Sequence, residues 1–244
     1  MAQNLIENIL YHYSYIQLYF LVLAYFLFLY FAIGPLFLAT CKLLAKRGLV
    51  HKIALQALRP GQIAYEIKYS VSSILIFGAS GIPIVYLIRQ GVIEISADTP
   101  LNVVFSILLL SIWNEVHFFI IHRIMHIPFF MRNVHYIHHR SSVPTVYSVY
   151  SFHWLEALLL STVPLCLAPF VVLPPLAFIG YPLVSILLNY AGHCNYRFGN
   201  GRGASWTLFG SLHNAHHFQF TKNYGFASDI LDKLYNLIQP NRKQ

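Results

Sequence analysis

Long apolar runs leave this chain few folds to choose from. Residues 15–39 are rich in Leu, Phe and Tyr and long enough to cross a bilayer as a helix. Residues 71–88 form a shorter second candidate, softened by Gly78, Gly81 and Pro83. Residues 101–121 form a third that runs straight into His122. Residues 157–190 are apolar almost throughout but carry Pro164, Pro169, Pro174, Pro175 and Pro182. Halved at Pro174-Pro175, this run gives two helices of about 17 residues each, the lower limit for spanning, and is read as a helical hairpin. The charge content agrees: 10% of the residues are charged and 57% hydrophobic, where a soluble domain carries about 25% charged residues. The length suits one membrane domain over residues 1–244, with no internal repeat or low-complexity linker. The N-terminus lacks the basic stretch of a cleavable signal peptide, and its apolar run is too long for one.

The bases orient these spans. Lys42, Lys46, Arg47, Lys52, Arg59 and Lys68 follow the first run, and Arg123, Arg132 and Arg140 follow the third. Arg197, Arg202, Lys222, Lys233, Arg242 and Lys243 follow the hairpin. Of the 16 Lys and Arg, only Arg89, near Glu94 and Asp98, falls on the opposite side. The positive-inside rule makes the basic face cytoplasmic. A net charge of +8 raises nucleic acid as a partner. Bases confined to short segments between apolar runs are instead the pattern of a membrane protein, and no nucleic-acid partner is expected.

The same face holds an unusual density of histidine. His122 and His126 are four apart, which puts both imidazoles on one helical face about 5–6 Å apart at Cβ. His135, His138 and His139 form a His-x-x-His-His cluster, and His213, His216 and His217 repeat it. Imidazole suits iron, zinc, copper and nickel, and eight of them exceed the needs of one metal and suit two. Structural zinc usually draws on cysteine and takes four ligands. Cys41, Cys166 and Cys194 form no Cys-x-x-Cys pair, and their odd number argues against a disulfide framework. The His-Glu-x-x-His pattern of zinc proteases is absent.

These boxes resemble those of the fatty acid hydroxylase/sterol desaturase superfamily over residues 62–236, with lathosterol-oxidase-like sterol desaturases the most similar. The resemblance extends to Phe152-His153-Trp154-Leu155-Glu156, where Trp154 replaces the family's Pro, and to the isolated His193 segment. It also takes in Asn223-Tyr224-Gly225 and Asp232-Lys233. It implies His193 as a ninth ligand beside the eight clustered histidines. It implies two non-haem iron ions, O₂ as co-substrate and electrons from a separate protein such as a ferredoxin, a cytochrome or a reductase. The dimetal centre itself would do the catalysis. Hydrogen would be taken from an unactivated C–H bond of a lipid (sterol, fatty acyl or related), leaving an alcohol or an alkene.

Four further residues are candidates around such a centre. Glu115 lies seven residues before His122, facing the same way, and an acid inside an apolar span is functional by default; it is expected to accept a hydrogen bond from a ligand imidazole. Asn189, one turn before His193, either orients a ligand or water or serves in packing. His153 and Glu156 are either partners of the ligand histidines or an interfacial pair. His117 is out of phase with His122 and is left out of the set. The expected fold is all-α, with four or five membrane helices beneath a cytoplasmic helical cap that carries the histidines. The expected function is a di-iron lipid hydroxylase or desaturase in lipid biosynthesis. The alternatives are a metal transporter or sensor and an inactive lipid-binding relative.

Overall fold

Lipid offers no hydrogen-bond partners, so a spanning backbone must satisfy its own N–H and C=O groups, and apolar runs of this length become helices. The structure is a computed structural model that describes residues 2–198 and 211–238. Arg202, Arg242 and Lys243, counted above among the bases of one face, lie outside the described residues. The chain opens with α1 (Ala2–His12). It continues through α2 (Tyr15–Lys46), α3 (Gln62–Arg89), α4 (Pro100–Met125), the shorter apolar α5 (Trp154–Leu167) and α6 (Pro175–His193). Two short helices, α7 (Ser211–Gln219) and α8 (Ile230–Ile238), follow. Four of these, α2, α3, α4 and α6, are long and apolar enough to cross a membrane. The fold is therefore an all-α polytopic membrane fold, as expected.

The starts of the helices are set by local chemistry. Ser14 and Gln17 form a reciprocal capping box before α2. Thr99 accepts from Asn102 N at the head of α4, where Pro100 is pre-set for the first turn. α2 is not a straight cylinder. Pro35 has no N–H for the turn before it, and Leu29–Ile33 widens into a π-helical stretch. The hydroxyl of Tyr190 fills the gap by donating to Leu29 O at 2.9 Å, a close approach made possible by Gly34.

Two expected boundaries shift. The second span starts at Gln62 rather than residue 71. Its polar residues are tolerated because Gln62 Nε2 bonds Glu66 Oε1 (2.7 Å) and Val143 O (2.9 Å), while Thr145 Oγ1 donates to the other Glu66 oxygen. The proline-rich run is not two equal helices. α5 ends at Leu167, and the chain then continues to a bridge with the loop after α3, where Ser96 N donates to Leu173 O and Ile95 pairs with Leu173. Asp98 Oδ1 caps the start of α6 through Leu176 N. The descending limb thus reaches the end of the bundle opposite the histidines. The all-α expectation also gains one small exception. Val50–Lys52 (β1) pairs antiparallel with Tyr196–Phe198 (β2), joining the chain after α2 to the chain after α6.

The resulting bundle has polar residues inside and apolar ones outside. On α4, Leu101, Phe105, Leu108 and Ile112 are exposed, whereas Ser106, Asn114, His117 and His122 are buried. Such a pattern suits lipid as the solvent. α2, α4 and α6 all end where the histidines gather, and α3 and α5 run the other way. One aromatic core, with Tyr30, Phe77, Tyr150 and Tyr190, lies toward that end. A second, around Ile84, Ile88, Leu110 and Tyr181, lies toward the other.

Candidate metal centre

Each histidine is brought in by a different local device. His122 lies in the last turn of α4 and His126 caps it, with Pro128 stopping the helix beyond. Met131–His135 is π-helical and runs into the single α-turn Tyr136–His139, which aims the second cluster inward. His193 closes α6. His213, His216 and His217 ride on α7, which approaches α6 closely at Gly192: a Cβ there would lie 3.3 Å from the Cβ of His213.

Nine imidazoles meet in two adjoining groups. His122, His126, His135, His139 and His216 form one; His138, His193, His213 and His217 form the other. Within each group the nearest ring nitrogens all lie within 4.8 Å of one another. These are the nine histidines singled out from the sequence. His117 lies outside both groups, against Thr162 Oγ1 at 3.1 Å.

The tautomers follow from the outward contacts. Nδ1–H of His122 donates to Tyr224 O (2.8 Å), that of His135 to Glu156 Oε1 (2.8 Å), and that of His193 to Asn189 O (2.9 Å). His216 Nδ1 donates to Lys222 O. A ring that donates through Nδ1 presents a lone pair at Nε2. Yet His216 Nε2 lies 3.1 Å from His126 Nε2 and 3.2 Å from His139 Nε2, and His193 Nε2 lies 3.1 Å from His217 Nε2. The lone pairs of His216 and His193 thus meet neighbouring ring nitrogens that can donate an N–H in the metal-free protein and offer a lone pair once a cation is bound. The inward nitrogens of His122 and His135 are buried and have no partner among the described residues. Burial and neighbouring imidazoles also resist protonation: His126 is pushed down to about 3 and His216 to about 4, and His135, His138, His139, His213 and His217 well below the usual range. Neutral nitrogen donors converging on two points fit two metal ions.

The supporting candidates divide. Glu156 touches a clustered imidazole directly, through His135. Asn189 takes part through its backbone carbonyl, while its side chain donates to Val149 O. His153 is in neither group; it caps α5 through Leu155 N. Glu115 does not meet an imidazole, contrary to expectation. Its carboxylate accepts from the backbone N–H groups of Phe226, Ala227 and Ser228, because these stand unpaired in a turn packed on α4. It acts at one remove, since that turn carries Tyr224. Asp232 secures the same turn from the other side, through Tyr224 N and Gly225 N. Glu66 was missed. It is fully buried and fixes the segment after the second cluster. Its signal was an acid within an apolar helix, hidden by starting that helix too late.

A cavity of about 410 Å³ leads away from the histidines between α2, α3, α4 and α6. Its inner end is walled by Phe118, Phe152 and Phe226, with Asn189. Phe118 packs on His122 and Phe152 on His138, each with ring centroids 4.8 Å apart. Its far end is walled by Ile6, Leu10, Leu18 and Ile88. A space of this size, apolar and ending on polar groups, is the usual form of a ligand pocket.

Comparison with known proteins agrees with this geometry. The model of the fatty acid hydroxylase family matches residues 107–236, which hold all nine histidines. Over 120 residues the chain is 29% identical to a probable Delta(7)-sterol 5(6)-desaturase of Neurospora crassa, covering 47% of this chain and 32% of that protein. The chain thus matches about a third of that relative's length. No solved structure matches.

Proposed function

This chain belongs to the fatty acid hydroxylase family, and on that premise we propose that it is a membrane-bound, O₂-dependent oxidoreductase with two iron ions that hydroxylates or desaturates a lipid. One observation carries the reading: two groups of five and four imidazoles gather their ring nitrogens behind Phe118 and Phe152, which pack on His122 and His138 and wall one end of an apolar cavity. The iron ions would supply O₂ activation, drawing electrons from a separate donor. The chain's own residues do the rest. Backbone carbonyls and Glu156 hold the ring tautomers so that Nε2 points inward, which also raises ligand basicity. Glu115 and Asp232 hold the turn that presents Tyr224 O to His122. Phe118, Phe152 and Phe226 exclude water and line the path by which a hydrocarbon reaches the histidines.

The basic end of the bundle, with Lys42, Lys46, Arg47, Arg132 and Arg140 exposed, suits an acidic electron-transfer protein. By the same charge asymmetry it is the cytoplasmic end. A sterol and a fatty acyl lipid both fall within the substrate class, the relative's name pointing to the first. A metal transporter would need ligands along a path, whereas these nine converge at one end.

Metal analysis of the purified protein should find two metals per chain, held without thiolate, and unchanged when all three cysteines are replaced by Ser. Zinc is expected to compete with iron after overexpression. Lipid mass spectrometry of cells with and without the iron-loaded protein should reveal a lipid that gains oxygen or loses two hydrogens. Metal binding with no change in any lipid would leave a lipid-binding relative without this activity.

A further inference from the structure

Asn114 stands in the apolar cavity with half of its amide in use. It is 6% exposed. Its Oδ1 accepts from Tyr181 OH at 2.8 Å, across from α4 to α6, and Ser185, one turn further along α6, lies against the same hydroxyl. All three residues line the cavity. Among the described residues the amide nitrogen of Asn114 has no partner. The amide nitrogen borders a largely apolar cavity, where a donor gains from a polar partner, and a tie between two helices needs only the oxygen. The remaining donor is therefore free for whatever fills the cavity.

The position fixes what it would meet. Asn114 is two turns before His122 on α4, about 12 Å at 1.5 Å per residue, with Phe118 midway between them on the cavity wall. A lipid whose reacting carbon lies at the histidines passes Phe118 and comes alongside Asn114. We propose that Asn114 reads an oxygen atom of the substrate, so that the substrate class is a lipid with a hydroxyl or carbonyl about 12 Å from the reacting carbon, not a plain hydrocarbon chain. This rests on the lipid-oxidising reading of the same site. The Tyr181 hydroxyl, with Ser185 against it, takes up the amide oxygen and leaves the N–H for the cavity. A site built to bond an oxygen discriminates strongly against an analogue without one, because its own donor is then left unpaired.

Binding, which needs no turnover, tests this. Tritiated 1-hexadecanol is bound to the purified, metal-loaded full chain in nanodiscs and competed with unlabelled 1-hexadecanol or hexadecane. The wild type should favour the alcohol by about tenfold. Asn114→Leu should bring the two competitors level, and Tyr181→Phe, which removes the helix tie but keeps the amide, should retain the preference. Equal competition in the wild type overturns the proposal, and so does an equal loss of preference in both variants, which would make Asn114 a helix tie only. Where N114L does not fold, Asn114→Ala replaces it, and the wild-type comparison decides independently. Absence of lipid oxidation with the alcohol preference intact would refute the proposed function and leave Asn114 as the group that reads an oxygen atom on a bound lipid.

Discussion

In each His-x-x-His-His cluster the outer two histidines serve one group and the middle one serves the other. His135 and His139 join the first group while His138 joins the second; His213 and His217 join the second while His216 joins the first. Helical geometry explains it: an offset of four overshoots a full turn by about 40°, and an offset of three falls short by about 60°, so the two diverge. The set of nine was legible because spacings of three and four are local. Its division was not, because that depends on how α4, α6 and α7 meet. Nor was the partner of Glu115, whose bonds reach 111 to 113 residues along the chain. Glu156→Gln should weaken the bond that orients His135 and cost about 10-fold or more in metal affinity, measured by competitive chelation; unchanged affinity would make the contact incidental. The depressed imidazoles also predict a pH dependence. Below about pH 6.5 the unfolded chain takes up protons that these buried rings refuse. Stability of the metal-free protein should therefore be greatest above pH 6.5 and fall as pH drops toward about 4, where His216 titrates. Thermal unfolding between pH 7.5 and 4.5 measures this. Loaded protein should fall in the same direction, as protons compete with metal for the same nitrogens.

The turn between α7 and α8 does the work of an element though it is neither helix nor strand. Lys222 O and Tyr224 O receive two of the imidazoles, while Glu115 and Asp232 hold the turn to α4 and α8. Arg123, on the last turn of α4, stacks on Tyr235 of α8 with its guanidinium carbon 3.6 Å from the ring centroid, closing the same corner. Gly225 is the point at which this turn admits no side chain, since an added Cβ would collide with Ser228 O and lie 3.0 Å from Glu115 Oε1. Gly225→Ala should open the turn, release His122 and lower metal content toward one ion per chain, with the loss in the five-histidine group. Normal metal content in a folded G225A protein would show that the turn does not govern the site. Asn223-Tyr224-Gly225 was visible in the sequence as a motif, but its role as an acceptor for His122 was not. The same limit applies to β1 and β2, three residues each and far apart in the chain, which leave no alternating pattern to read. It applies also to the head of α3, where Gln62, Glu66 and Lys68 lower the hydropathy of a segment that is nonetheless helical.

Across the whole molecule the chain traverses the bundle five times, once by the composite limb of α5 and the stretch to Leu173. Hydropathy made four of these passages legible in outline. The fifth was blurred by prolines that shorten α5 and leave the rest of the limb outside any long helix. Five passages place the head of α2 and the end of α6 at opposite ends. The interactions at the two ends agree with that arrangement. At the far end Arg89 donates to Leu10 O and Tyr13 O, each at 2.6 Å, so this base is spent on the end of α1. At the histidine end Lys42, Lys46, Arg47, Arg132 and Arg140 remain exposed. Reporter fusions should accordingly put the N-terminus outside the cytoplasm and the C-terminus within it. A cysteine introduced at Arg132 in a cysteine-free background should be protected from an impermeant thiol reagent in intact cells, and one introduced at Val92, exposed at the far end, should react. Both termini in one compartment would require an even number of passages and would remove the composite limb. Reversed labelling of the two cysteines would keep the five passages but turn the histidine centre away from any cytoplasmic electron donor.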